Sequence, residues 1–376
     1  MDQPLYRRVF DTLRERIRSG EVPVGSHLPA PRALEAEFGV SAITVRRAMD
    51  MLRTDGYIVR RPRIGSVVVA REPEAPAERR AGGRPLIGCV LTDLDDAFGS
   101  QVLTGVLGEA DGRADVVVKK SLGDPAHEEQ LLDELTEAGA EGVLLLPTSS
   151  RFIAPAVMRR VTQALPMVIL DRVFPGVPIS SVCSDNVAGA QAATELLFDL
   201  GHEHVGLVLP SSTVSSVEDR RAGFVQAHAE RRLSLEPGQE LRGVASVVPG
   251  ESRTAAQDTA QLTAYLEARP DLTAFLVSEH RIAVLLLAAC RALGRSVPDA
   301  VSIVCFDHPP TAFAPDTFRF THVRQDQDAM GRMAVRQLLA QIEDPTDVAT
   351  LALPTTLVPG DSTAPPPVPG PAGRRA

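Results

Sequence analysis

The sequence predicts an α/β protein in which a small helical head precedes a large two-lobed body built on parallel sheets. The chain has 376 residues, of which 44% are hydrophobic, so it exceeds one ordinary domain and can bury more than one core. Near residue 86 the helical spacing of apolar residues gives way to short apolar runs that alternate with helical segments. The charge divides in the same way. Residues 1–71 contain 13 Arg and 8 acidic residues, whereas the rest contains 26 basic and 40 acidic residues.

The head is predicted to contain three helices and a hairpin. Apolar residues recur at helical spacing in the first helix, Pro31 lies in the first turn of the second, and Ser41 is the N-cap of the third. The predicted helices cover residues 4–19, 31–38 and 42–55, and the two β-type runs cover residues 57–61 and 66–70. Three helices followed by a two-stranded wing form a winged helix-turn-helix, to which we assign residues 1–70.

The body is predicted to be a parallel α/β structure of two lobes. Residues 71–85 are rich in Pro, Gly and charge and contain no aliphatic residue larger than Ala, which is typical of a linker. From residue 86 to residue 360, apolar runs such as EGVLLLP and VSIVCFD alternate with helical segments, as strands buried on both faces do. About 270 such residues suggest two lobes with a cleft between them. Residues 361–376 are predicted to form a disordered Pro-rich tail.

Composition excludes several classes of protein. The only lysines are Lys119 and Lys120, so a P-loop is excluded and a pyridoxal-phosphate Schiff base is disfavoured. The four cysteines lie far apart, which disfavours disulfides and a structural zinc site. We find no nucleophile–base pair, no apolar stretch of membrane-spanning length and no secretory signal. We therefore expect a cytoplasmic protein that is not an enzyme, needs no cofactor and does not contact a membrane.

The segment HLPAPRALEAEFGVSAITVRRAMDMLRTDGYIVRRPRIGSVVV resembles the N-terminal domain of GntR-family transcription factors. The resemblance covers nearly all of residues 1–70 and implies that the third helix enters the major groove of DNA. Ile43, Thr44 and Arg46 then project toward base edges, because they lie in the first turns after the Ser41 cap. The DNA-binding residues that this implies are Arg32, Ser41, Ile43, Thr44, Arg46, Arg47, Arg61, Arg63 and Gly65. The chain departs from the family at Ala42, where an arginine is usual, and at the wing turn around Arg63 and Gly65, so its operator can differ.

The body, from Leu86 to Pro359, resembles the sugar-binding core of LacI/GalR repressors, a type I periplasmic-binding-protein fold. The resemblance rests on an ordered set of segments that includes IGCVLTDLDDAF, PMVILDR, RRAGF and VRQDQDAMGRMAV. In this fold, polar residues at the carboxyl ends of strands face a ligand cleft. The effector-binding residues that this implies are Asp93, Phe98, Asp171, Arg220, Glu279, His280, Asp307 and His308.

The roles of several of these residues stay open at the level of sequence. Arg220 either holds two adjacent sugar hydroxyls or is a surface residue of the Arg-Arg pair. Phe98 either stacks on a sugar face or fills core, and Asp171 either contacts ligand or braces its lobe. Glu279-His280 and Asp307-His308 replace the residues usual in the family, which favours a different ligand or a titrating pocket over a transition-metal site.

The leading hypothesis is a transcriptional repressor that forms a homodimer on a palindromic operator of double-stranded DNA. A small molecule, with a sugar as the first candidate, closes the two lobes and releases the DNA. The alternative is a soluble solute-binding or sensing module without sequence-specific DNA binding, which the basic head disfavours. The sequence does not specify the effector, the operator or the direction of regulation.

Overall fold

The structure is a computed structural model that describes residues 5–55, 57–61, 65–71, 83–94, 97–150, 153, 155, 157–158, 165–212, 214–309 and 317–367. The chain divides into two compact units, Met1–Gly83 and Arg84–Ala376. Among the described residues, no helix combines the length and the apolar character needed to cross a membrane.

The first unit is a three-helix head with a two-stranded antiparallel wing. Its elements are α1 (Leu5–Ser19), α2 (Pro31–Phe38), α3 (Ala42–Thr54), β1 (Ile58–Arg61) and β2 (Gly65–Val68). They confirm the predicted winged helix-turn-helix and lie within two residues of the predicted bounds. Leu13, Leu34 and Leu52, one from each helix, are completely or almost completely buried in a common core. Gly39 turns the chain between α2 and α3 with φ +66°, a conformation that favours glycine.

The second unit contains the remaining elements. In chain order they are β3 (Leu86–Leu91), α4 (Ala97–Ala110), β4 (Asp115–Lys120), α5 (Pro125–Glu137), β5 (Gly142–Leu145), β6 (Met167–Leu170), β7 (Ser180–Ser184), α6 (Asn186–Asp199), β8 (Val205–Pro210), α7 (Ser215–Arg231), β9 (Glu240–Val244), α8 (Ala255–Ala268), β10 (Ala274–Val277), α9 (His280–Ala292), β11 (Ser302–Phe306), β12 (Thr321–Arg324), α10 (Gln327–Glu343), β13 (Thr350–Leu353) and β14 (Thr356–Val358).

Two six-stranded sheets form the two lobes of this unit. The first sheet has the order β13-β7-β6-β5-β3-β4 and is parallel throughout. The second has the order β14-β12-β11-β10-β8-β9, in which only the β12–β14 pair is antiparallel. Each sheet has its own buried apolar clusters, because strands covered on both faces exclude water from their whole length. The two-lobed α/β prediction is confirmed.

The chain crosses between the lobes three times. It leaves the first lobe between β7 and α6, returns between β12 and α10, and crosses again between β13 and β14. The first two crossings carry Asn186, Gln325 and Gln327, all of which are buried. The crossings therefore bring hinge side chains to the base of the cleft between the sheets.

The prediction of a disordered tail is wrong for residues 361–367. Ser362 is fully buried, its Oγ donates to the carbonyl of Ile303 at 2.5 Å, and it accepts from the backbone N–H of Thr321 at 2.8 Å. The carbonyl of Ala364 accepts from His202 Nε2 at 2.9 Å. These partners lie more than forty residues away in sequence, so composition alone did not reveal them. Residues 368–376 lie outside the described residues.

Candidate DNA-binding surface and effector cleft

Helix α3 buries one face in the head core and leaves its outer face, which includes Ile43, exposed. Val45, Ala48 and Leu52 are fully buried, whereas Ile43 is 78% exposed. At the start of the helix, Ser41 Oγ accepts a hydrogen bond from the backbone N–H of Thr44 at 3.4 Å, which identifies Ser41 as the N-cap. Exposed apolar surface beside a helix N-terminus matches the expected contact with bases and phosphates.

Two of the three arginines of α3, Arg46 and Arg47, differ in their surroundings. The Arg47 guanidinium lies 4.2 Å from the centroid of the Tyr6 ring on α1, a cation–π contact within the head. The Arg46 side chain is exposed. Arg46 is therefore the more available of the two for a base or a phosphate.

The other predicted DNA contacts lie on α2 and the wing. Arg32 is exposed in the first turn of α2. Arg61 and Gly65 pair across the two strands at the turn end of the wing. Arg63 lies outside the described residues.

The candidate effector cleft lies at the carboxyl ends of the strands of both sheets. A cavity of about 330 Å³ is lined there by residues within two positions of a strand end, among them Asp93 after β3, Asp171 after β6, Glu279 after β10 and Asp307 after β11. Parallel strands place such residues at one edge of each sheet, so the two lobes supply the two walls. Of the eight predicted effector residues, seven line this cavity, and the exception is His308.

Arg220 is a buried residue of the cleft, and the alternative of a surface arginine is wrong. It is only 7% exposed; its Nε donates to Asn186 Oδ1 at 2.8 Å and its Nη1 donates to the carbonyl of Ser278 at 2.5 Å. Its guanidinium also stacks 4.0 Å from the centroid of the Phe306 ring. Since two nitrogens are already bonded to the protein, Nη2 and the second Nη1 hydrogen remain for a ligand.

Asp307 joins the cleft to the second crossing between the lobes. Its Oδ2 accepts from Gln325 Nε2 at 2.6 Å, and its Oδ1 accepts from Gln327 Nε2 at 2.7 Å. Burial raises the pKa of this carboxyl, and the Arg220 guanidinium opposes that rise. The residue has φ +58°, a conformation that an aspartate rarely adopts. Asp307 is therefore held at one place on the cleft wall.

Asp171 and Arg172 together present donors and an acceptor in the cleft. Asp171 Oδ2 accepts from Ser216 Oγ of the opposite lobe at 3.2 Å, while its Oδ1 is buried and makes no hydrogen bond to the described residues. The Nε and Nη1 atoms of Arg172 are also buried and make no hydrogen bond to the described residues. Burial raises the pKa of Asp171, opposed by Arg220 and Arg172. Asp171 therefore braces the lobes and also has an oxygen available for a ligand.

The two lobes also touch beside Asp171. Ser215, the first residue of α7, donates its backbone N–H to Ser150 Oγ at 3.0 Å. The Ser215 Oγ in turn accepts from the backbone N–H of Val173 at 3.0 Å. These bonds join loops of the first lobe to the start of a helix of the second, so a change in cleft width must break them.

Asp93 and Phe98 occupy the first-lobe wall. Asp93 is half-buried, and its Oδ1 lies 3.7 Å from Lys120 Nζ and accepts from the backbone N–H of Leu94 at 2.7 Å. Phe98 packs partly against the core of the first lobe while lining the cavity. Phe98 thus fills core in part, and its stacking on a sugar face stays a prediction.

His280 lines the cavity, whereas His308 lies behind it. The two ring centroids are 5.0 Å apart in a T-shaped arrangement. His308 is not among the described residues that line the cavity, and its direct contact with an effector stays a prediction. Among the described residues, no group of three or more His, Cys, Asp or Glu side chains is arranged to hold a metal ion, so the transition-metal alternative gains no support.

Comparison with known proteins agrees with both halves of this geometry. A family model described as bacterial regulatory proteins, gntR family, matches residues 5–68, and a model of the periplasmic binding protein-like domain matches residues 194–363. This chain is a GntR-headed transcriptional regulator. Its body resembles that of LacI/GalR regulators. The sequence motifs of the head and of the body show the same two resemblances.

Relatives of the regulator match most of its length at low identity. An arabinose metabolism transcriptional repressor of Geobacillus stearothermophilus is 26% identical over 348 residues, which cover 90% of this chain and 92% of that protein. A ribose operon repressor of Haemophilus influenzae is 25% identical over 72% of this chain and 79% of its own. A LacI-family regulator of Enterococcus faecium, solved with bound ribose, has a TM-score of 0.62 at 22% identity and covers 74% of this chain and 99% of its own; it supports the fold.

Sequence reasoning missed three functional candidates of the regulator. Arg172, Ser216 and Gln325 all line the cavity, and each has a polar atom that is either unbonded or bonded across the lobes. Arg172 and Gln325 lie in the segments PMVILDR and VRQDQDAMGRMAV that carried the resemblance. Their position directly after β6 and β12 was the available signal, because strand ends face the cleft.

Proposed function

We propose that the regulator is a repressor whose effector is a polyhydroxylated small molecule, a sugar, bound in the cleft. The observation that carries this proposal is a set of buried polar atoms that line one cavity and make no hydrogen bond to the described residues: Asp171 Oδ1, Arg172 Nε, Arg172 Nη1 and Gln325 Oε1. Leaving such groups unsatisfied costs about 1–3 kcal/mol each, so a bound partner is expected.

The chemistry of these atoms favours hydroxyl groups. Arg172 only donates, the Asp171 carboxylate and Gln325 Oε1 accept, and a hydroxyl can do both at once. A carboxylate ligand would satisfy Arg172 but would be repelled by Asp171 and Asp307. The cavity of about 330 Å³ is at the small end of ligand pockets, which suits a monosaccharide.

The names of the relatives support a sugar. Two of them are called repressors of arabinose metabolism and of a ribose operon, and one structural neighbour holds ribose. No such observation favours the alternative of a sensing module without sequence-specific DNA binding, and the match of residues 5–68 to DNA-binding regulators opposes it.

On the DNA side, we propose a homodimer whose two heads bind the half-sites of a palindrome. Ile43, Thr44 and Arg46 contact base edges, and Arg47 contacts backbone phosphate. The remaining contacts are made by Arg32, Ser41, Arg61, Arg63 and Gly65. Such a protein acts where the DNA is, in the cytoplasm. The effector binds one arrangement of the lobes more tightly than the other and so shifts the protein toward it. This shift changes the distance between the heads and lowers operator affinity.

The effector class is tested by calorimetric titration with L-arabinose, D-ribose, D-galactose and cellobiose. We expect one monosaccharide to bind the wild type, and Arg172→Met to weaken its affinity at least about tenfold through loss of a charged donor. Arg336→Met is the matched control, since Arg336 is an exposed arginine bonded to Glu109 away from the cavity. The sugar proposal would be overturned if none of the four sugars bound, or if Arg172→Met bound the sugar with the affinity of the wild type.

Regulation is tested on an operator selected from a random duplex library by repeated binding to the regulator. Fluorescence anisotropy then measures operator affinity with and without the sugar found above. We expect a weaker complex in the presence of sugar and a steep loss of affinity with added salt, because phosphate contacts release counterions. Failure to enrich any sequence would refute an operator-specific repressor. Sugar that strengthens the complex would refute release by the effector.

A further inference from the structure

Three histidines and two phenylalanines form one ring cluster in the second lobe. His308 lies at the centre, with ring centroids 5.0 Å from His280 and 5.4 Å from His322. Phe320 contacts His280 at 5.7 Å, and Phe318 contacts Phe320 at 5.2 Å. His280 begins α9, His308 follows β11 and His322 lies on β12, so the cluster joins three neighbouring elements. Through His280, it is also a wall of the effector cavity.

The hydrogen bonds of two of these rings identify their tautomers. His308 Nδ1 lies 2.9 Å from the carbonyl oxygen of Pro309, and His322 Nδ1 lies 2.8 Å from that of Phe320. A carbonyl oxygen only accepts, so both Nδ1 atoms carry the hydrogen. In the neutral rings, Nε2 is then the basic nitrogen of His308 and of His322. A proton taken up there would add charge inside a ring cluster.

The charges that act on the cluster oppose such a proton. His308 and His322 act on His280, while His308, Arg319 and Arg324 act on His322. The two arginines are positively charged, and each histidine becomes positively charged when it takes up a proton. The neighbouring carboxylates are those of Glu279, which precedes α9, and Asp307, whose oxygens accept from Gln325 and Gln327. Burial and repulsion by His308 and His322 lower the pKa of His280 to about 4.

We propose that His280, His308 and His322 form a proton-sensitive wall of the effector cleft, which keeps its shape only while the cluster carries at most one proton. Acidification brings a second positive charge into rings that are about 5 Å apart, and repulsion then separates α9 from the loop after β11. Since His280 lines the cavity, the affinity for the effector decreases as the pH decreases. This consequence rests on the proposed function, because it takes the cavity as the effector site.

The sign of the pH effect follows from the lowered pKa of His280. An unfolded histidine titrates near pH 6.5. A folded pKa of about 4 therefore contributes stability above pH 6.5 that is lost as the pH falls from 6.5 toward 4. His280→Gln removes the titrating group and should flatten this part of the pH dependence.

The direct test is a titration of the histidine Cε1–H signals of the full chain by NMR between pH 8 and pH 3.5. The chain has eight histidines, and single substitutions assign them. We expect His280 to stay neutral down to pH 5 in the wild type. In His308→Asn, its titration midpoint should rise by about one pH unit, because one repelling ring is gone. His204→Gln is the matched control, since His204 is exposed and outside the cluster.

A His280 midpoint near 6.5 in the wild type would overturn the proposal, and so would a midpoint that neither His308→Asn nor His322→Gln moves. If His308→Asn does not fold, His322→Gln tests the same effect on the His280 midpoint. The wild-type midpoint of His280 by itself can also overturn the proposal. The titration uses the protein without a sugar. If no sugar binds in the calorimetric titration, the proposed effector class is refuted and this result is unaffected. If His280 titrates near pH 6.5, the proton-sensitive wall is refuted and the effector class is unaffected.

Discussion

Replacing Arg220 by methionine should destabilise the body strongly, and the loss should depend on pH. Methionine keeps the length of the side chain but removes the guanidinium that bonds Asn186 Oδ1 and the Ser278 carbonyl. It also removes the charge that opposes the raised pKa of Asp171 and of Asp307. Breaking a buried charged network by removing one partner costs about 3–5 kcal/mol. We expect a loss of this size in the free energy of unfolding at pH 7.5.

At pH 5 the loss should be smaller. Without Arg220, burial raises the pKa of the Asp171 and Asp307 carboxyls further above that of the unfolded chain, near 3.9. A group whose folded pKa is raised destabilises the fold as the pH rises through that folded pKa, and its penalty is absent below the unfolded pKa. The deficit of Arg220→Met relative to the wild type should therefore grow from pH 5 to pH 7.5.

Urea unfolding followed by circular dichroism measures this difference, because the chain contains no tryptophan. The matched control is Arg221→Met, next in sequence, whose exposed ion pair with Glu240 at 2.7 Å is worth about 0–1 kcal/mol. Equal losses for the two variants, or a deficit of Arg220→Met that does not shrink at pH 5, would refute the assignment of Arg220 to a buried charge network.

Three further predictions concern the head, the helix contact and the tail. Arg46→Ala should weaken operator binding by about 1–3 kcal/mol and leave the unfolding of the head unchanged, since the side chain is exposed; an unchanged operator affinity would contradict its role. Gly331→Ala should lower the free energy of unfolding by about 1–3 kcal/mol or more, because a Cβ there would lie 2.2 Å from the carbonyl oxygen of Val102 on α4; a variant as stable as the wild type in urea would contradict this close helix packing. Ser362→Ala should cost about 1–3 kcal/mol, since it leaves the buried Thr321 N–H and Ile303 carbonyl without their partner, whereas Ser296→Ala on the surface should cost little; equal urea midpoints for the two serine variants would argue against a docked tail.

The sequence by itself determined the local structure and the type of protein. Pro31 and Gly39 bound α2, and the Ser41 cap begins α3, because these effects act within one helical turn. The apolar runs EGVLLLP and VSIVCFD became the strands β5 and β11, since a run buried on both faces needs no polar alternation. Five strands were not anticipated from apolar runs: β7, β9, β12, β13 and β14. Of these, β9 and β14 lie at the edges of the second sheet and are only partly buried.

Tertiary structure alone decided which side chains act together. Arg220 and Arg221 are equivalent in sequence, but the packing of α7 buries the first over Phe306 and leaves the second at the surface beside Glu240. The ring cluster of His280, His308 and His322 depends on the order of β10, β11 and β12 in the sheet. Residues 361–367 have the composition of a disordered segment, yet Ser362 is held by strands more than forty residues away. In each case, the deciding partner is distant in sequence, and only the folded chain brings it within hydrogen-bonding or van der Waals distance.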